Sequence, residues 1–305
     1  MNYELRIMNL RSLVVRTLTG AIYVLLLVGC TVYSPVSAFF FFAVVAAATL
    51  WEFGTLMNTH LEARMPRPIN AMAGVVLVAA VWLSAIASPQ TAQMFALYGL
   101  LMLYIIISGL YRHSKNPLQD WALCFASQLY IALPFALLPL LSIVYDETTG
   151  SMAYNWIYPL ALFIFLWVND TFAYLCGCTL QRYIPYKLFP RISPKKSWIG
   201  SIGGGLFTLL AAVIIWRLDN GQSAMANGQW SMVNGQSSMP LLRWLGFALV
   251  IVVFGTWGDL VESLIKRQLG IKDSGHVLPG HGGMLDRFDS ALLTIPASVI
   301  YFILT

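Results

Sequence analysis

Long apolar runs separated by short polar breaks dominate the chain. Nine of them reach the roughly 18 residues that a helix needs to cross a bilayer core: 12–33, 36–57, 69–88, 92–111, 120–145, 154–177, 198–218, 241–265 and 288–305. Lipid offers backbone groups no hydrogen-bond partners, so runs of this length are predicted to be helices. Their apolar residues continue all the way round rather than along one stripe, as in helices buried on every side. The fifth run is long and carries Pro134 and Pro139, which predicts a kink or a break. The expected fold class is all-α, a polytopic integral membrane protein with about nine transmembrane helices.

Composition agrees. Of 305 residues, 58% are hydrophobic and 10% charged, against about 25% charged in a soluble domain. No polar segment is long enough for a separate soluble domain. The chain reads as one membrane domain, with about five spans in 1–150 and about four in 151–305. Net charge is +5. The basic residues sit in short loops, which points to anionic lipid headgroups and phosphates as partners, not nucleic acid. The four cysteines, Cys30, Cys124, Cys176 and Cys178, lie in or beside apolar runs and read as small hydrophobes.

The basic residues also orient the spans. With the N-terminus cytosolic and the spans alternating, all 18 Lys and Arg except Arg217 and Arg243 fall at inner loops or inner helix ends, a strong positive-inside pattern. The cytosolic loops are then 178–197 and 266–287. The first span has a basic flank and is followed by "PVSA", but its apolar run is long, so an uncleaved anchor is expected. "NGQSAMANGQWSMVNGQSSMP" repeats Asn-Gly-Gln at 220, 227 and 234 and reads as a low-complexity outer loop.

Carboxylates inside apolar runs are costly and need a reason. Glu52, after Trp51 in the second run, is expected to reach the interface or to pair with a neighbouring basic residue. Asp170 follows Asn169 in "WVNDTFAYLCG" and shares a helix face with Tyr174. Asp259, Glu262, Ser263 and Lys266 make one stripe on the eighth run. In "LPGHGGMLDRFDS", Asp286 and Asp289 stand at the predicted start of the last helix, behind Gly280, His281, Gly282 and Gly283. With the orientation above, these carboxylates from Asp170 onward fall near the cytosolic face. Convergent oxygen ligands beside phosphates suit Mg²⁺, and glycines allow close backbone approach to a phosphate. The loop "RYIPYKLFPRISPKKSWIGSIGGG" adds Ser193, Lys195, Lys196 and Ser197 ahead of Gly203-Gly204-Gly205: hydroxyls, ammonium groups and a tightly packed helix start, a mixture suited to a polyphosphate.

Ser263 to Ser290, "SLIKRQLGIKDSGHVLPGHGGMLDRFDS", closely resembles the signature of phosphatidate cytidylyltransferases, also called CDP-diglyceride synthetases. The matching positions are Ser263, Lys266-Arg267, Lys272-Asp273, Pro279, His281-Gly282-Gly283 and Asp286-Arg287-x-Asp289. "NDTFAY" and "ISPKKSWIGSIGG" also resemble the family, so the matched region covers about Asn169 to Asp289. Ile199 stands where the family usually has Glu, and Cys178 where it tends to carry a basic residue.

The resemblance implies transfer of a cytidylyl group from CTP to phosphatidate at a bacterial inner membrane, with the active site facing the cytosol. It implies Mg²⁺ held by Asp259, Asp286 and Asp289, the number of cations staying open, and a homodimer. Ser263, Lys266, His281 and Arg287 join those carboxylates as expected catalytic residues. Asp170, Ser193, Lys195, Lys196, Ser197, Arg267, Gly282 and Gly283 are expected to bind substrate. Two other readings fit less well. A CTP-dependent lipid or polyprenol kinase would transfer the terminal phosphate instead. A secondary transporter would place its carboxylates at the midplane, and here they gather at one face.

Overall fold

The computed structural model describes residues 2–146, 151–180, 182–183, 186–225, 239–275 and 282–305, with the backbone alone for 2–13, 144–146, 151 and 220–225. Among these, nine helices are long and apolar enough to cross a membrane. They match the nine predicted runs to within a few residues. The chain divides into two compact units, Met1–Ala136 with Ile265–Asp289, and Leu137–Leu264 with Ser290–Thr305.

The first unit begins with α1 (Asn2–Tyr33) and α2 (Pro35–His60), joined through Ser34 alone. Ser34 and Ser37 cap one another, each hydroxyl accepting the other's backbone N–H at 3.1 Å, and Pro35 supplies a preset first helical residue. The "PVSA" stretch is thus a helix start. Then follow α3 (Arg67–Ala85), α4 (Thr91–Tyr111) and α5 (Pro117–Ser127).

The fifth span breaks as its length suggested, but earlier than its prolines. A π turn, Gln128–Ala132, follows α5 and leads into α6 (Leu133–Leu137) and then α7 (Pro139–Ser142). Asn70 donates to Ser127 Oγ at 2.8 Å, and Gln128 Nε2 donates to Asn70 O at 2.8 Å and to its Oδ1 at 3.0 Å. At this wide turn the Asn70 and Gln128 NH₂ groups are both partnered. Around it the core is aromatic: Phe135 meets Phe42 at 6.4 Å and Phe288 at 5.3 Å, ring to ring.

The loops at 61–66 and 112–117 are tied together. Arg64 N–H donates to Asp120 Oδ1 at 2.8 Å, its guanidinium donates to His113 O at 2.6 Å, and Lys115 pairs with Glu62 at 2.6 Å. The Lys115 ammonium holds the Glu62 carboxyl below the usual range. Two loops assigned by charge to one side of the membrane therefore share one end of this unit.

The second unit holds a hairpin, β1 (Ile143–Asp146) with antiparallel β2 (Ser151–Tyr154). The fifth span was expected to stay helical to 145, but β1 begins at Ile143. Next come α8 (Ile157–Leu180), a second antiparallel hairpin of β3 (Lys187–Phe189) and β4 (Ser193–Ser197), α9 (Trp198–Met225), α10 (Leu241–Gln268) and α11 (Leu285–Leu304). The last two helices also contribute residues to the first unit. The first Asn-Gly-Gln falls in the final turns of α9, where a loop was expected; the repeats at 227 and 234 lie outside the described residues.

Glycines set the packing of α9 on α8. A Cβ on Gly200 would lie 2.7 Å from Ala173 O, and one on Gly203 would lie 2.5 Å from Cys176 Sγ. Small residues at this spacing let two helices in lipid approach closely. The tightly packed helix start expected at Gly203-Gly204-Gly205 is thus the packing of α9 on α8. Phe172 and Phe207 stack across the same contact at 3.8 Å. At the other end of this unit Trp244, Phe165, Phe247, Phe302 and Tyr158 form one ring cluster, and Tyr301 donates to Arg243 O at 3.0 Å.

Candidate active site

Polar side chains gather in two places, one in each unit. In the second unit, the C-terminal half of α8, the β3–β4 hairpin, the start of α9 and the polar part of α10 enclose a cavity of about 560 Å³. That is the size range of small-molecule sites. Asn169, Asp170, Tyr174 and Cys178 line it from α8, Lys187, Lys195, Lys196 and Ser197 from the hairpin, and Thr256 and Asp259 from α10. Three ammonium groups from the hairpin and two carboxylates from α8 and α10 thus face one hollow, a charged lining that suits a charged ligand.

Lys196 organises the cavity. Its Nζ lies 2.6 Å from Asp259 Oδ2 and donates to Thr256 O at 3.4 Å. The other Asp259 oxygen accepts from Ser263 Oγ at 3.1 Å, as the one-turn spacing on α10 requires. Ser197 is buried, and its hydroxyl accepts the Gly200 N–H at 3.2 Å. It therefore N-caps α9 at the cavity wall. Ser193 starts β4 opposite Phe189 and is absent from the lining. Glu262 is fully buried within α10. Ile199 is half-buried in the first turn of α9.

In the first unit, Ser274 and residues 283–285 meet two carboxylates. Asp286 Oδ1 pairs with Lys266 Nζ at 2.8 Å. Its Oδ2 accepts the N–H of Ser274 at 2.9 Å and of Gly283 at 2.8 Å. Gly282 takes φ +83°, and a Cβ there would come within 2.5 Å of Asp286 Oδ2. The glycines permit close approach, as expected, but the group approached is the chain's own carboxylate. Asp289 is half-buried one turn further on, while Arg267 and Arg287 are exposed. His281 lies outside the described residues.

Glu52 was expected at the interface or on a basic neighbour. It is instead buried, and accepts from Ser274 Oγ, from Met284 N at 2.8 Å and from Leu285 N at 3.1 Å. Ser274 and Glu52 are the functional candidates that reading along the chain undervalued. The available signal was a carboxylate in an apolar run with no basic residue one turn away on either side.

Comparison with known proteins agrees with this geometry. A profile of the cytidylyltransferase family matches residues 14–305. Proteins named phosphatidate cytidylyltransferase are similar along nearly their whole length. That of Staphylococcus aureus (strain COL) is 32% identical over 289 residues, 92% of this chain and 96% of the relative. That of Staphylococcus epidermidis (strain ATCC 12228) is 32% identical over 297 residues, 95% and 99%. That of Staphylococcus haemolyticus is 30% identical over 288 residues, 92% and 96%. The chain belongs to the cytidylyltransferase family.

Proposed function

We propose that the chain is a phosphatidate cytidylyltransferase of a bacterial inner membrane, working from the cytosolic side with its N-terminus cytosolic. The observation that carries this reading is the lysine-rich cavity holding the Lys196–Asp259 pair within a bundle of membrane helices. A phosphate oxygen of phosphatidate attacks the α-phosphorus of CTP. The bond from that phosphorus to the bridging oxygen breaks, and pyrophosphate leaves with the bonding electrons. The nucleophile is already an anion, so the barrier is electrostatic: one anion must approach another.

Lys195, Lys196, Lys266, Arg267 and Arg287 are assigned to phosphate oxygens, offsetting that repulsion. Ser263 and His281 orient the reacting phosphates, and Asp170 flanks the cavity as a further polar wall. The acyl chains stay in lipid while the headgroup enters. Asp259, Asp286 and Asp289 are the residues offered for Mg²⁺. Their hard oxygens suit it, and two of them, Asp259 and Asp286, each already hold a side-chain cation within 2.8 Å. When bound, the metal would neutralise phosphate charge. A homodimer is proposed on the family resemblance, and native mass spectrometry in detergent reads it.

The direct test supplies phosphatidate, CTP and Mg²⁺ to purified protein and follows products by mass spectrometry. CDP-diacylglycerol and pyrophosphate in equal amounts are expected, with none after chelation. Free CDP in place of the liponucleotide would overturn the proposal in favour of a kinase.

A second test reads occupancy alone. Cys178 is exposed at the cavity wall, whereas Cys124 is buried. Maleimide labelling of Cys178 is expected to slow on adding CTP and to be absent in Cys178→Ser. Equal labelling with saturating CTP would remove the nucleotide from this cavity.

A further inference from the structure

Glu52 has no place among the groups that meet phosphate or metal in the reaction above, yet the fold buries it at 6% exposure in a membrane helix. Every hydrogen bond it accepts comes from the segment before α11. Its Oε1 takes Ser274 Oγ and, at 3.1 Å, Leu285 N. Its Oε2 takes Met284 N at 2.8 Å. These donors stand at the two ends of the 274–285 segment. A carboxylate at the first N–H groups of α11 also meets the positive end of that helix.

The backbone has been cleared to let this happen. A Cβ on Gly275 would lie 2.8 Å from Glu52 Oε2, and one on Gly283 would lie 2.0 Å from Oε1. Two residues of the same segment, Ser274 and Gly283, give their N–H groups to Asp286 Oδ2. The oxygen left over, Oδ1, faces Lys266. Glu52 therefore holds Ser274 beside the start of α11, and the N–H groups of Ser274 and Gly283 fix the rotation of Asp286.

We propose that Glu52 is a positioning residue for cytidylyl transfer: it clamps Ser274 to the start of α11 so that Asp286 is held with Oδ2 on backbone N–H groups and Oδ1 directed at Lys266. The inference rests on the reading of Asp286 as part of the catalytic centre. It separates the two carboxylates by role, one consumed in backbone hydrogen bonds and one presented to the reaction.

Glu52→Gln keeps the side chain's volume and removes one acceptor. In either orientation its NH₂ meets a backbone N–H, that of Met284 or that of Leu285. The expected result is a kcat lower by about 10- to 100-fold, the range for removing groups that orient a ligand, with KM for CTP and phosphatidate unchanged. Amide hydrogen exchange should accelerate at 282–286 and stay unchanged through the interior of α2. Ser274→Ala removes the hydroxyl contact alone and should lower kcat in the same direction by less.

A wild-type kcat in Glu52→Gln overturns the proposal. If exchange in that variant rises throughout α2 and α3, Ser274→Ala decides: a lowered kcat with unchanged KM sustains the positioning role, and a wild-type kcat ends it. Wild-type protein that forms no CDP-diacylglycerol would refute the reaction itself, while exchange at 282–286 would still report whether the clamp exists.

Discussion

Asp286→Asn is expected to cut CDP-diacylglycerol formation by about 10³-fold. The amide oxygen must remain on the two backbone N–H groups that Oδ2 now accepts, from Ser274 and Gly283. That turns the NH₂ toward Lys266, whose side chain is 18% exposed and lies 2.8 Å from Oδ1. A largely buried ammonium loses this counter-charge, at a cost of about 3–5 kcal/mol. That cost falls on stability; the fall in rate is the separate loss of a negative charge at the reaction centre, about 4 kcal/mol for 10³-fold at 1.36 kcal/mol per tenfold. Loss of a metal oxygen would add to it. A double variant, Asp286→Asn with Lys266→Met, separates stability from chemistry. With the stranded charge removed, the thermal midpoint should recover while activity stays lost. Product at near wild-type rates in the single variant would remove Asp286 from the catalytic centre.

Gly204→Ala is expected to be the most damaging single methyl group in the second unit. Its Cβ would sit 2.7 Å from Asn169 O, 2.8 Å from Asn169 Oδ1 and 3.0 Å from Ala173 Cβ. The nearest of these atoms is helix backbone, which cannot swing aside like a long side chain, so α8 and α9 must part. Overpacking of this kind costs about 1–3 kcal/mol. Both helices line the cavity, so KM for CTP should rise as the thermal midpoint falls. Gly29→Ala is the matched control, since nothing stands within 4 Å of its Cβ and alanine favours a helix. Equal midpoints for the two variants would refute the close packing of α8 on α9.

The spans were legible because lipid imposes one rule on every crossing segment: enough apolar residues, with the backbone bonded internally. The break in the fifth span was legible only in part. Pro134 and Pro139 announced it, but the π turn at 128–132 answers to Asn70, more than fifty positions earlier. Lys196 and Asp259 were both singled out along the chain, and the cavity brings them together. Gly203 and Gly204 show the opposite limit. They were legible as a tightly packed helix start, but the sequence does not say that α8 is the neighbour they admit. Glu52 was least legible, because a lone carboxylate on α2 carries no mark of donors that arrive 222 to 233 positions later.

That separation has a consequence for how the protein is made. Synthesis runs from the N-terminus, so α2 reaches the membrane long before Ser274, Met284 and Leu285 have been translated. An acidic side chain deep in a span costs up to about 3 kcal/mol on insertion scales, and less toward the span's end. The long apolar run of α2 is what carries Glu52 into the bilayer in the meantime. Ser274, Met284 and the first residue of α11 then deliver the donors that settle a charge left waiting since α2 was made. A nascent chain stopped before Met284 would keep that charge exposed to lipid, a mark by which membrane quality control could tell an unfinished copy from a complete one.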